Sequence, residues 1–514
     1  MSRSVSRCRI TTWRPLASRL LVGAALLVAG PLHAQGPFDG VRQDIATWWE
    51  TASRVAPGHW GIAIADQSGK LIWSVDPDDA LIPASTVKLF TTGFARSILG
   101  SDARRPTRVL GTGWVDKKTG AWVGDWSLEL NGDVTLERSA AVGPSLFDLA
   151  EQLRGMGIRR LSGPLQVSSE TGDADAIWPS VWSPRHRGRL FAPLIGPITL
   201  NENVVSFTIR PGARSGQRVQ LTGAEPLGVG SLLRISAKTV AGRRNRLRLT
   251  PQPDGGWLLS GTLGARAGAR RFTRTAQSPR SVLHAVWASA LTRAGIDWQE
   301  KGFPAPEVKE EPKVLAEVTS PTLDSVASEV NRRSLNIGAE LLLQWAAGRG
   351  PEAPAALMAH IRRVAGDSAD VHLVDGSGLS SEDRVAPSTF VEYLARFPLM
   401  QAGRDFAQLL PANGTGTLRK LKRGFPDQGV VRAKTGTLQD VATVVGYLGR
   451  PEGVLLLSLM YNGPRPHVAR QQQWQLFRTL GGDGVVVPSA GDVVSEDSQY
   501  GGEDAAAAPD STRP

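Results

Sequence analysis

The chain has 514 residues, 21% of them charged, a formal net charge of +11 and one cysteine, Cys8. Because Cys8 falls within the first 34 residues, the rest of the chain has no thiol, which excludes disulfides, cysteine nucleophiles and thiolate metal sites there. The remaining length suffices for two or three domains, each with a substantial core.

Residues 1–34 read as a secretory signal. Arg3, Arg7, Arg9, Arg14 and Arg19 form a basic start, residues 20–29 are a short apolar core, and Ala34 precedes a cut at Gln35. The apolar core is too short for a stable span, so cleavage and export to the periplasm or cell exterior are predicted. The other end differs in composition. From Ser489 onward, Asp492, Glu496, Asp497, Glu503, Asp504 and Asp510 face only Arg513, which predicts a disordered acidic tail over 489–514. Removing the five leader arginines lowers the formal charge to +6, and setting aside the tail's net −5 returns the body to +11. A basic body suits an anionic polymer or surface outside the cell. Its basic residues are scattered, with the densest run at 418–423, and no reading helix or stacking module points to nucleic acid.

In chain order, residues 60–66 and 71–76 read as two strands joined by a turn at 67–70, with Gly69 suited to a positive φ. Pro83 closes the extended segment, and a helix starting near Ala84 carries Val87, Leu89, Phe90 and Phe94 at helical spacing. Residues 101–312 are different, with alternating segments at 121–130, 204–209, 218–222 and 246–250 and few helices, chiefly 145–156 and 279–294. They predict a mainly β insertion of two subdomains that splits a catalytic domain made of 35–100 and 313–488. Helices follow over 323–347, 353–364 and 387–396, then strands over 429–437, 441–448 and 453–460 and a helix over 467–480. Three C-terminal and two N-terminal strands predict a five-stranded antiparallel sheet flanked by helices, an α+β arrangement. No repeat of equal period is present.

The chemistry concentrates in three places. Ser85 and Lys88 are three residues apart, so on a helix they share one face, and burial would lower the lysine pKa enough for it to act as a base. Ser334 and Asn336 flank Leu335 at a helix start; the hydroxyl suits proton transfer and the amide suits holding a peptide carbonyl, although Ser334 is equally an ordinary N-cap. Lys434, Thr435, Gly436 and Thr437 end a strand. There the lysine and Thr435 suit a substrate carboxylate, Gly436 close approach of substrate, and the Ser85 and Thr437 amides a developing oxyanion. The same tripeptide at Lys118-Thr119-Gly120 reads as the turn of a polar hairpin. His59, His186, His284, His360, His372 and His467 show no metal-ligand spacing, and residues 414–420 lack phosphate-loop spacing, so neither metal nor cofactor is predicted.

In these motifs and their order, and in residues 130–136, 375–380, 410–418 and 433–438, the chain resembles the class C low-molecular-mass penicillin-binding proteins, the D-alanyl-D-alanine carboxypeptidase/endopeptidases of peptidase family S13. The likeness runs over most of residues 55–465. It implies the serine penicillin-binding/β-lactamase-like transpeptidase fold and a β-lactam-sensitive acyltransferase acting on peptidoglycan stem peptides and cross-links. It further implies Ser85 as nucleophile, Lys88 as base, Ser334 and Asn336 in the proton path and substrate hold, and Lys434, Thr435 and Thr437 along the strand edge. Leu335 departs from the aspartate usual at that position, which implies altered local packing. The resemblance leaves a homodimer open and allows at most peripheral membrane contact. A catalytically weak peptidoglycan-binding scaffold and a serine β-lactamase are the competing readings.

Overall fold

The structure is a computed structural model that describes residues 38–138, 143–301 and 311–487; the expected leader at 1–34 and tail at 489–514 lie outside them. Five antiparallel strands form the central sheet: β1 (His59–Ala65), β2 (Leu71–Val75), β3 (Val431–Leu438), β4 (Val441–Arg450) and β5 (Gly453–Asn462), in the order β3-β4-β5-β1-β2. Early and late segments of the chain thus meet within one sheet, where β1 runs antiparallel to β5 from His59↔Asn462 to Ala65↔Leu456.

Both faces of the sheet are covered, and the period-2 alternation of a strand sorts side chains between them. Trp60, Ile62 and Ile64 of β1 join Val444, Leu457 and Leu459 on one face, under helices α1 (Asp39–Val55) and α7 (Pro466–Gly481). Helix α1 was not among the expected elements. Its Val41, Ile45, Trp48 and Ala52 recur at helical spacing and are buried, and Trp48 Nε1 donates to Gln472 O of α7 at 2.8 Å. On the opposite face Ala63, Val445, Leu456 and Met460 pack with α2 (Val87–Leu99) and with α3 (Leu323–Arg333), α4 (Asn336–Ala347), α5 (Glu352–Ala365) and α6 (Pro387–Arg396).

Two helix starts become specific in the structure. The helical stretch over 323–347 is two helices: Ser334 takes φ 59° at the C-terminus of α3, and α4 begins at Asn336, where the sequence placed a helix start. The start of the helix carrying Ser85 is one 3-10 turn, Ala84–Thr86, before α2 proper.

The region after α2 holds a six-stranded sheet containing Pro106–Asp116 and Ala121–Glu129, together with three- and four-stranded sheets and the helices Leu146–Gly155 and Pro279–Ala294. Its edges differ from the sequence division at 101 and 312. Strand Lys313–Thr319 pairs antiparallel with Pro106–Asp116, so it belongs to the inserted sheet. Conversely, Val134, Trp182, Ala192 and Ile195 leave the insertion's own core and are buried in the cluster around α2 with Phe90 and Leu342. A tertiary contact, invisible in composition, is what assigns these residues.

Candidate active site

Ser85 sits in the 3-10 turn ahead of α2, half-buried, while Lys88 one turn on is completely enclosed. Lys88 Nζ lies 2.8 Å from Ser85 Oγ, 2.6 Å from Asn336 Oδ1 and 2.6 Å from Ser377 O. Burial pushes its pKa down to about 7, against the upward pull of Asp375, Glu340 and Asp383. A neutral amine has two N–H groups and one lone pair. With the N–H groups spent on Asn336 and Ser377, the lone pair is left for the Ser85 hydroxyl.

The backbone that carries Ser85 is gripped from two sides. Ala84 is held at φ 49°, a left-handed conformation costly for alanine. A Cβ at Gly378 would collide with Ala84 O and come within 3.1 Å of Ser85 N. On the other side, a Cβ at Gly436 would meet Thr443 Oγ1 and lie 2.7 Å from Pro83 O and 2.9 Å from Ser85 N. The missing side chain at Gly436 thus admits the chain's own Ser85 turn. Thr443 Oγ1 also donates to Pro83 O at 2.7 Å, tying that turn to β4.

Lys434 is buried on edge strand β3, and its Nζ donates to Ser334 Oγ at 2.9 Å and Thr435 O at 2.6 Å. Burial, then Lys88 and Arg470, hold its pKa well below the usual lysine value. Ser334 is no N-cap, since α4 begins two residues later and Ser334 closes α3 in a left-handed conformation. It is joined to Lys434, and no direct hydrogen bond links it to Ser85 or Lys88. Asn336 is engaged at both ends: Oδ1 accepts from Lys88, and Nδ2 donates to Phe191 O at 2.8 Å, a carbonyl of the inserted region. Leu335, at the N-cap of α4, makes no capping bond and packs partly buried against the core. Lys118-Thr119-Gly120 is the expected hairpin turn, with Thr119 Oγ1 donating to Asp116 Oδ2 at 2.7 Å on the exposed surface.

Several residues beneath the site were not singled out from the sequence. Asp375 is buried and accepts four hydrogen bonds, from Ser377 N (2.9 Å), Gly378 N (2.6 Å), Ser380 N (2.8 Å) and Trp182 Nε1 (3.0 Å). It shapes the loop that presents Ser377 O to Lys88 and anchors the inserted region to it. An aspartate ahead of Gly-Ser-Gly is a turn signal that was available in the sequence. Glu340, an acid inside the apolar run of α4, accepts from Gly376 N at 3.1 Å, and burial together with Asp375 pushes its pKa up to about 8. Burial and Asp375 likewise raise Asp383. Arg470 of α7 donates to Gly436 O at 2.6 Å and Thr437 Oγ1 at 3.2 Å, supporting the end of β3; nothing in the local sequence marks it.

Replacing Asp375 by alanine strips the acceptor from three backbone amides and one indole in a buried site. At about 1–3 kcal/mol for each unsatisfied group, with partial relaxation, a loss of about 3–5 kcal/mol is expected in urea unfolding. A change below about 1 kcal/mol would show that the loop does not depend on this carboxylate.

Away from this centre, His59, Asp76 and Asp79 bring ligand-type atoms within 4.8 Å of one another on the exposed surface, a grouping that linear spacing did not reveal.

A family described as D-Ala-D-Ala carboxypeptidase 3 (S13) matches residues 41–480. The chain belongs to that family. It is 28% identical over 474 residues to the D-alanyl-D-alanine carboxypeptidase of Actinomadura sp. (strain R39), covering 87% of this chain and 85% of the relative. Carboxypeptidase DacB of Mycolicibacterium smegmatis is 28% identical over 414 residues, covering 78% of this chain and 75% of the relative. The crystal structure of penicillin binding protein 4 from Haemophilus influenzae shares the fold, with a TM-score of 0.65 at 20% identity over 84% of this chain and 98% of that one. Membership in the S13 family and the helix-flanked five-stranded sheet agree with the fold expected from the sequence. No helix among the described residues is long and apolar enough to cross a membrane.

Proposed function

We propose that this chain is a serine D-alanyl-D-alanine carboxypeptidase, with endopeptidase action on peptidoglycan cross-links, that works through an acyl-enzyme on Ser85 and is acylated there by β-lactams. The observation that carries this reading is Lys88: a fully buried amine, 2.8 Å from Ser85 Oγ, with its pKa lowered to about 7. The family and the carboxypeptidase relatives support the substrate class.

In this mechanism Lys88 takes the Ser85 proton as Oγ attacks the carbonyl carbon of the penultimate D-alanine. The Ser85 and Thr437 amides hold the developing oxyanion. Collapse breaks the peptide C–N bond, and the proton on Lys88 passes to the leaving amine, with Ser334, held by Lys434, joining the path only when substrate lies between it and Lys88. Water then hydrolyses the ester and regenerates Ser85. Asn336 positions Lys88 through Oδ1, and the second hydrogen on its Nδ2 remains for a substrate carbonyl. Lys434, with Thr435 and Thr437, presents a polar strand edge to the substrate terminus. The enzyme acts after export, in the periplasm.

Labelled penicillin is expected to attach one-to-one to Ser85, read by mass spectrometry of the intact protein and peptide mapping. A label on Ser334, or on no serine, overturns the mechanism. Acylation should also follow the Lys88 titration. Because the neutral amine is the base, the rate rises about tenfold per pH unit below about 7 and levels off above it. A rate independent of pH between 5 and 8 would remove Lys88 from the proton-transfer step.

A further inference from the structure

Basic residues that are scattered along the sequence gather on one sheet of the inserted region. Between Glu202 and Asp297 the chain carries fifteen arginines and lysines against two acids, Glu225 and Asp254, a net +13 over residues 203–296. In the four-stranded sheet of this segment, strand Trp257–Gly264 lies between Lys238–Val240 and Asn245–Pro251. Leu249, Trp257, Leu259 and Leu263 are buried in the insertion's core, so the residues alternating with them form the opposite face. Register fixes which side chains share that face. Lys238 and Arg246 both pair with Thr262, and Arg218 bridges to Lys238. Arg218, Lys238, Thr262 and Arg246 therefore make one row across four chain segments, with Arg248 in the next row opposite Ser260. Adjacent segments stand about 4.8 Å apart, so three cations of one row fall within about 15 Å.

More charge surrounds this face. Arg243 and Arg244 lie in the loop that joins Lys238–Val240 to Asn245–Pro251, and Arg266 N donates to Gly242 O of the same loop at 2.9 Å. All seven basic residues are exposed. Among the described residues none of the seven makes an ion pair or a side-chain hydrogen bond, whereas Arg234 and Arg271 are paired with Asp254 and Glu225.

Like charges held together without counter-charges repel one another, and a surface that supplies anions relieves the cost. The form of the array selects that surface. The cations extend both across and along the strands, which matches a plane of phosphate headgroups, while a linear polymer is tracked by a stripe or groove. Guanidinium forks, which predominate here, bind phosphate oxygens in pairs. The side chains between them are Thr250, Leu258, Ser260 and Thr262, with no aromatic ring on which a base could stack.

We propose that this sheet face docks the protein on a bilayer of anionic phospholipids through their phosphate headgroups. The contact is electrostatic, without an inserted apolar wedge, and independent of the chemistry at Ser85.

The test uses residues 35–514, which keep every described residue, in sedimentation with vesicles of phosphatidylcholine alone or mixed equally with phosphatidylglycerol. At about 0.01 M salt the mixed vesicles are expected to bind about tenfold or more tightly than the neutral ones. Raising the salt to about 0.15 M shortens the screening length from about 30 to about 8 Å and should weaken that binding. A variant with Arg218→Gln, Lys238→Gln, Arg246→Gln and Arg248→Gln should lose about tenfold or more on the mixed vesicles. A control with Lys70→Gln, Lys117→Gln, Lys118→Gln and Arg419→Gln, four exposed residues off this face, carries the same net charge and should stay within about threefold of the unsubstituted protein. Tm and penicillin acylation, recorded for both variants, report that the fold is kept. Equal binding to neutral and mixed vesicles, or equal losses in the two variants, overturns the proposal. So does tighter binding, per mole of phosphate, to a soluble polyphosphate chain than to the mixed vesicles, which would give the face to a linear polymer.

Discussion

Replacing Lys88 by alanine is expected to lower the second-order rate of penicillin acylation by about 10²–10⁴-fold, the usual cost of losing a positioned base. The substitution removes the amine hydrogen-bonded to Ser85 Oγ and leaves Asn336 Oδ1 and Ser377 O without that donor. Lys434→Ala should be milder in acylation and heavier in peptide binding, because Lys434 donates its hydrogen bonds to Ser334 and its own strand and none to Ser85. Stopped-flow acylation of both variants, with Tm recorded alongside, separates chemistry from folding. Rates for Lys88→Ala within threefold of the unsubstituted protein would overturn its assignment as base.

The second large effect is expected from the smallest change, Gly436→Ala. The added methyl has no free volume: it meets Thr443 Oγ1, and Pro83 O and Ser85 N lie 2.7 and 2.9 Å from where it would sit. Overpacking of this kind costs about 1–3 kcal/mol of stability. The larger consequence is catalytic, because relief comes by moving the turn that carries Ser85, and a displacement of about 1 Å in a reacting group costs on the order of 10² in rate. Acylation should therefore fall about a hundredfold while the fold survives, with near-native circular dichroism. Unchanged acylation would mean that the turn and the strand move together and that Gly436 does not set the nucleophile's position.

Much of the fold was legible because periodicity reports local conformation. Strands β1 to β5 and the helices over 353–364, 387–396 and 467–480 lie within a few residues of where the alternation placed them. The helix start at 334–336 was legible, but not how the preceding helix ends there: Ser334 takes a left-handed φ that divides α3 from α4. Helix α1 carries a readable stripe at Val41, Ile45, Trp48 and Ala52, just beyond the expected leader.

The amino-acid sequence by itself determined the chemical set: Ser85 one helical turn from Lys88, a Ser-Leu-Asn at a helix junction, and a Lys-Thr-Gly on a strand, with the second Lys-Thr-Gly recognisable as a turn from its polar neighbours. These are local patterns, and side-chain type with spacing suffices to state them. What only the tertiary structure decided is which of those groups touch and how they are charged. Lys88 bonds Asn336 across 248 positions and Ser377 across 289, and Lys434 reaches Ser334 across 100. The buried acids Glu340, Asp375 and Asp383 oppose the desolvation that lowers the Lys88 pKa. A pKa depends on burial and on charges brought near through space, and a glycine's necessity depends on what occupies the missing side chain's volume. Neither quantity exists until distant segments pack, which is why Gly436, Trp182 and Phe191 acquire their meaning only in the folded chain.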